Sequence, residues 1–449
     1  MTDLYIIFIT VIAILILLFL VIHTKLHAFV ALLLVSIFVG VISGMPLNDV
    51  ILSVQVGMGS ILGYVAVIVG LGAMFGQMLE ASGGAQKLAH HLILRLGEDK
   101  APIALGITGF LVAIPVFFDI GFIILVPLIY GLAKKTGRSL LYYGIPLLAG
   151  LAVTHSFMPP TPGPPIAVAK LLGAEIGWVI LFGLLAGIPS MLIAGPLFGK
   201  FISKKIHIDI PEYIDFNEVE HNDTNLPPIS VIAIIILSPI FLIVLNTLSS
   251  LLLTKDTFYY NLFQFIGHPF IALLFATLLA FYFLGHRHGY SKKEVQIIAN
   301  KALEPAGIII LVTGAGGVFK EVLIDSGAGT ILANFLGNFS ISPFLLGFII
   351  AVIVRISQGS ATIAMITSAS IVSSLIHKVE YSPPELGLIV IAIASGATIF
   401  SHVNDSGFWL INRYFGMDIK ETFLSWTIME TIIALVGFTM VLCMELLFI

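Results

Sequence analysis

The sequence predicts an all-α polytopic membrane protein, an inverted-topology repeat of about ten spans with two re-entrant hairpins and two broken helices. Three observations carry that expectation. Hydrophobic residues make up 58% of the 449-residue chain, charged residues only 10%, and the mean hydropathy is +1.09, whereas a soluble domain carries about a quarter charged residues. Residues 72–89 (GAMFGQMLEASGGAQKLA) recur loosely at 316–333 (GGVFKEVLIDSGAGTILA). The offset of 244 superposes Phe75 on Phe319, Leu79 on Leu323, Ser82 on Ser326, Gly83 on Gly327, Leu88 on Leu332 and Ala89 on Ala333. Two apolar runs, 102–131 and 341–376, are interrupted at their middles by residues that a lipid-facing helix avoids: Pro115 and Asp119 in the first, Arg355 to Ser360 (RISQGS) in the second.

Runs apolar and long enough to cross about 30 Å of hydrocarbon lie at 4–22, 28–45, 60–80, 143–172, 177–199, 229–254, 262–284, 303–324, 385–411 and 424–449. The first has no basic residues before it and no small-residue cleavage site, so it reads as a retained span. The interrupted runs read as hairpins because loop Lys and Arg collect in the cytoplasm. If 102–131 turns back, Lys87, Arg95 and Lys100 share a side with Lys134, Lys135 and Arg138. The same walk makes Lys25 cytoplasmic, leaves Lys378 outside, and puts 16 of the 21 basic residues inside and both termini outside. Each half then has an odd number of crossings, which inverts the second copy. The first repeat covers 1–200 and the second 229–449, with 201–228 a polar cytoplasmic linker. Gly59-x-x-x-Gly63, Gly72-x-x-x-Gly76 and Gly183-x-x-x-Gly187 read as close helix packing.

No continuous helix can contain residues 154–165 (THSFMPPTPGPP), because each interior proline removes a backbone donor and clashes with the preceding turn. The broken helix of the first repeat is therefore expected at about 143–172. That of the second, at about 385–411, contains residues 401–407 (SHVNDSG), and the same offset sets Gly163 on Gly407. Non-helical backbone at membrane depth survives only around a protein-lined cavity. Two facing breaks build one, where half-helix N-termini hold an anion and freed carbonyls hold cations or hydroxyls. A single proline cluster could be a kink without a ligand; a histidine beside each break argues against that.

An ionised carboxylate at the membrane centre costs on the order of 2.5–3.5 kcal/mol, so Asp119 and Asp405 are functional candidates by default. Burial disfavours the charged form of carboxyl and imidazole alike, so such groups can take up and release a proton. Asp119, His155, His402 and Asp405 are the proton-coupling candidates. Arg355 is the only arginine inside an apolar run, and its planar fork matches a carboxylate. The other use of Arg355 is a structural pair with Asp405 that holds a hairpin shut. Ser357, Gln358, Gly359, Ser360 and Thr362 supply hydroxyl, amide and backbone groups suited to a polyhydroxylated ligand. Thr161, Gly163, Asn404 and Ser406 join them from the two breaks.

Other chemistries find little support. Cys443 is the only cysteine, which excludes an intrachain disulfide and a cysteine metal site. His90-His91 and the pair His286 and His288 lack metal-ligand partners at workable spacing. No metal, cofactor or nucleic-acid partner is expected, and the net charge of −4 favours no partner. There is no HExxH, GxSxG or GxxxxGK[ST], so neither a zinc protease, a nucleophile-elbow hydrolase nor an ATP-driven pump is indicated. An intramembrane enzyme would rest on His155-Ser156, whose side chains turn apart along a helix.

Four segments carry a family resemblance: 114–122 (IPVFFDIGF), 159–164 (PPTPGP), 359–362 (GSAT) and 400–409 (FSHVNDSGFW). From about residue 20 to its C-terminus the chain resembles the gluconate permease family. The resemblance implies a proton symporter that imports a small hydroxylated monocarboxylate, chiefly D-gluconate, across the bacterial inner membrane. Idonate, fructuronate and D-serine are carried by relatives, and a sodium-coupled carboxylate or D-serine-type carrier of the same architecture is the alternative. It also implies a homodimer in the lipid bilayer whose transport domains move as elevators. The family pattern has His where this chain has Thr161 and Glu where it has Asp119.

Overall fold

In hydrocarbon every backbone polar group needs a partner within the protein, which leaves helices or closed barrels. Every regular element among the described residues of the computed structural model is helical. The structure describes residues 3–24, 26–161, 163–211, 226–255, 257–327, 342–376 and 380–448. Lys25, Lys378, Leu332, Ala333, residue 341 of the second expected hairpin and linker residues 212–225 lie outside them.

The first half runs α1 (Asp3–Ile22), α2 (Ala28–Ile42), α3 (Leu47–Ala81), α4 (Gly84–Leu96), α5 (Ala101–Val112), α6 (Phe118–Thr136), α7 (Leu140–Phe157), α8 (Pro164–Leu172) and α9 (Ile176–Ile202). The second runs α10 (Ile229–Leu252), α11 (Phe258–Ile266), α12 (Pro269–His288), α13 (Lys292–Lys301), α14 (Leu303–Asp325), α15 (Pro343–Gln358), α16 (Ala361–Ile376), α17 (Pro383–Thr398), α18 (Ser406–Phe415) and α19 (Ile419–Leu447). Among the described residues seven helical stretches are long and apolar enough to cross a membrane by length and composition. Two sequence runs change shape. The run at 60–80 is the second part of the 35-residue α3, which starts directly after Pro46. The run at 262–284 divides at Gly267, because Pro269 opens a new helix whose N-cap His268 accepts from Phe270 N at 3.3 Å.

The breaks follow local chemistry. α7 stops before Pro159-Pro160, and α8 restarts with Pro164 and Pro165 in its first turn, where a missing N–H costs nothing. Helix α17 opens on a Ser382–Glu385 capping box and ends at Thr398. Helix α18 restarts with Asp405 as N-cap, its carboxylate accepting from Gly407 N at 3.1 Å. Ser82 and Ser326, matched by the repeat, each cap the end of a helix, and Gly83 and Gly327 after them take φ of 70° and 75°.

The core lies around α7 and α17, whose residues are buried nearly throughout. Helix α5 packs on α7 and α15 packs on α17 in the same way. Backbone meets backbone there: a Cβ on Gly150 would run into the Gly106 carbonyl, and one on Gly396 into that of Phe348. Helices α3 and α14 cross with Gly57 2.7 Å, measured from its would-be Cβ, from the Gly317 oxygen. Gly183 and Gly187 press α9 onto α7 as their spacing suggests, but Gly59 and Gly63 face open space. The end of α6 returns to the start of α5, where Lys135 pairs with Glu98.

Gly150→Val is expected to lower stability by about 1–3 kcal/mol or more through overpacking, while Gly59→Val stays within about 0.5 kcal/mol of wild type. Thermal unfolding of the detergent-purified proteins checks both; equal shifts would contradict the packing described.

Candidate functional site

The interruptions between α5 and α6, α15 and α16, and α17 and α18 meet beside α7, α14 and α19 around a cavity of about 480 Å³. Its polar wall is Asp119, His155, Ser156, Arg355, Gln358, Ser360, Thr362, Asn404, Asp405, Ser406 and Glu430, with the backbone of Gly359. Phe117, Phe118, Ile308, Ile309, Val312 and Trp426 supply the apolar part.

A strap joins the α15–α16 turn to the 399–405 break. Helix α15 ends at Gln358 because Gly359 takes φ 89°, a conformation closed to most side chains. Its last-turn carbonyls then have no partner within the helix. Ile356 O accepts from Asn404 Nδ2 at 2.9 Å and lies 2.9 Å from His402 Nε2. A Cβ on Gly359 would collide with the Asn404 backbone, so the two loops touch through glycine.

Arg355 spans the strap. One terminal nitrogen donates to Gly359 O, and the other lies 2.7 Å from Asp405 Oδ2. The pair is nearly enclosed, at 3% and 12% side-chain exposure. Asp405 also accepts from Ser401 Oγ. Ser401 is held from α19, by Trp426 Nε1 at 2.7 Å and by Thr427 Oγ1 on its carbonyl. With one member of such a buried pair removed, the other is stranded.

Four buried polar atoms on the same wall have no partner among the described residues: Arg355 Nε, Gln358 Oε1, Asn404 Oδ1 and Glu430 Oε1. Such orphans are rare in folded chains. All four residues line the cavity, and one donor and three acceptors could serve a carboxylate and several hydroxyls once a small rearrangement opens them to it. Helices α6, α16 and α18 start at the cavity, and their N-terminal N–H groups add positive potential.

The structure brings most of the expected residues together. Asp119, His155, Arg355, Gln358, Gly359, Ser360, Thr362, Asn404, Asp405 and Ser406 all line the cavity. Four do not. Thr161 is buried with its Oγ1 unpartnered among the described residues, and Gly163 packs against His155, its would-be Cβ 3.3 Å from Cε1. Ser357 is half-buried off the wall. His402 serves the strap from outside the wall, because the freed Ile356 carbonyl is within its reach. Sequence reasoning missed Glu430, Ser156, Phe118 and Trp426. Glu430 carries the signal that singled out Asp119, an acid inside an apolar run. The aromatic pair, with ring centroids 5.5 Å apart, carries none, because such residues in an apolar helix read as core.

The sequence profile described as GntP family permease matches residues 5–447. The chain is 41% identical to the "Low-affinity gluconate transporter" of Escherichia coli strain K12 over 437 residues, 97% of each chain. It is 40% identical to the "Gluconate permease" of Pseudomonas aeruginosa over 445 residues, 99% of this chain and 98% of that one. The fold is similar to the crystal structure of the Alcanivorax borkumensis YdaH transporter, with a TM-score of 0.65 at 15% identity, over 94% of this chain and 99% of that one.

Asp405→Ala strands a buried guanidinium and is expected to cost about 3–5 kcal/mol of stability and abolish activity. The double variant Arg355→Met/Asp405→Leu removes both charges, so it should regain most of the thermal stability and none of the activity. Unfolding scans read the first effect and uptake assays the second.

Proposed function

The chain belongs to the GntP family of permeases, and from that premise we propose that it imports D-gluconate, or a closely related aldonate, together with a proton. It is a multi-pass membrane transporter and not an enzyme. The observation that carries the substrate class is the set of four unpartnered buried polar atoms on one wall. Arg355 Nε would donate to the carboxylate, backed by the N-termini of α16 and α18. Gln358 Oε1 and Asn404 Oδ1 would accept from hydroxyls, with Ser360, Thr362 and Ser406 on the same wall. A cavity of about 480 Å³ is in the range of small-molecule sites. Phe118 and Trp426 close its apolar side.

In this reading the two halves are inverted repeats in the bacterial inner membrane, with about ten spans and both termini outside. The turns between α5 and α6 and between α15 and α16 are the tips of re-entrant hairpins. The Lys135–Glu98 pair supports the first, since it gathers both ends of that hairpin to one side. The matched helix ends at Ser82 and Ser326 support the repeat. The protein works as a homodimer whose hairpins and broken helices move together as the transport unit.

Asp119, His155 and Asp405, which line the cavity, and His402, which holds the strap beside it, are the sequence-derived candidates for coupling a proton. One proton carried with one monoanion is electrically neutral, so uptake should follow the pH gradient, worth about 1.4 kcal/mol per unit, and ignore the membrane potential. Labelled gluconate uptake into proteoliposomes under separate pH, sodium and voltage gradients tests this. Accumulation driven by an inward proton gradient alone is expected; dependence on sodium with indifference to pH would reject proton coupling. Recovery of unchanged gluconate from the lumen checks that the substrate is moved and not converted.

A further inference from the structure

We infer that Glu430 is the proton-binding residue of the transport cycle, the carboxyl whose protonation removes a negative charge that opposes the substrate anion near Arg355. The inference rests on the proton-coupled reading above and deepens it.

Glu430 is 4% exposed, faces the cavity and leaves Oε1 without a partner among the described residues. It lies within electrostatic reach of Arg355 and Asp405. The π-helical turn Phe423–Thr427 lies just before it in the same helix, a distortion frequent at functional sites. That turn is pinned by Trp426 and Thr427 to Ser401, which fixes the face that α19 presents.

The charges around it decide its role. From α6 comes Asp119, from α7 His155, from α15 Arg355 and from the 399–405 break Asp405. Helix α19 also packs on α9, which has no ionisable side chain before Lys200, and on α17, whose only one is Glu385 in the first turn, at the opposite end from the cavity. The wall thus holds one guanidinium and three carboxyls.

Asp405 is already held by Arg355, Ser401 and the α18 N-terminus. Asp119 is open to the cavity on its wall and can be hydrated. Glu430 is buried and, among the described residues, has no hydrogen-bond donor for its charged form; a buried carboxylate in that state is costly. While ionised it opposes an incoming monoanion near Arg355. Taking up one proton on its carboxylate oxygen removes that charge, and the proton leaves when the substrate does.

Calorimetric binding of gluconate to purified protein at pH 6, 7 and 8 tests the assignment. Wild-type affinity should fall about tenfold per pH unit on the alkaline side, the linkage of one proton. Glu430→Gln should vary less than twofold. In proteoliposomes E430Q should exchange labelled for unlabelled gluconate above protein-free liposomes and lose accumulation driven by the pH gradient.

A pH-dependent wild type with an equally pH-dependent E430Q overturns the assignment alone. A wild type indifferent to pH in both assays overturns proton coupling itself, and the assignment with it. Should E430Q fail to fold, Glu430→Asp keeps the acid one methylene shorter. It is expected to retain the pH dependence at weaker affinity, and folded E430D that binds independently of pH, beside a pH-dependent wild type, counts against the assignment.

Discussion

A backbone that leaves helical form inside hydrocarbon must find its hydrogen bonds within the protein, and the rest of this structure depends on how that is met at the α15–α16 turn. Arg355 reaches Gly359 O, and Asn404 and His402 reach Ile356 O. These bonds tie two loops that neither helix could stabilise alone. Asp405 closes the arrangement by balancing the guanidinium. With the turn and the break joined, polar residues of both line one cavity.

The strap uses the terminal nitrogens of Arg355 and leaves Nε free, so one residue can serve structure and ligand together. The two uses foreseen for Arg355 are thus compatible in geometry. The helix N-termini around the cavity favour an anion, while the carboxyls on its wall oppose one unless a proton intervenes. In the proposed reading, selectivity for a hydroxylated acid over an apolar one would follow from the unpartnered amide oxygens, which an apolar ligand would leave unsatisfied.

Much of the fold was legible because its causes are local. Pro159, Pro160, Pro164 and Pro165 announce a helix break whatever surrounds them, and Gly359 marks the turn it permits. The Ser-Gly pairs at 82–83 and 326–327 end their helices in the same conformation. Packing was less legible. Gly59 and Gly150 look alike in sequence, yet only Gly150 meets another backbone, because helix facing is set by partners far along the chain. Run 262–284 keeps one candidate span, but the helix starts at Pro269, because the Gly267-His268-Pro269 interruption separates it from Phe258–Ile266.

The sequence by itself determined the helical class, the positions along the chain at which helices must stop, the family, and the residue types that gather at the stops. Each of these follows from sterics, backbone satisfaction or residue pattern acting over a few positions. Tertiary structure decided which groups meet. Arg355 and Asp405 lie 50 residues apart, His402 belongs to the strap and not to the cavity wall, and Glu430 enters from the last helix. Side-chain pairing at that separation depends on helix rotation and crossing, which no local pattern encodes.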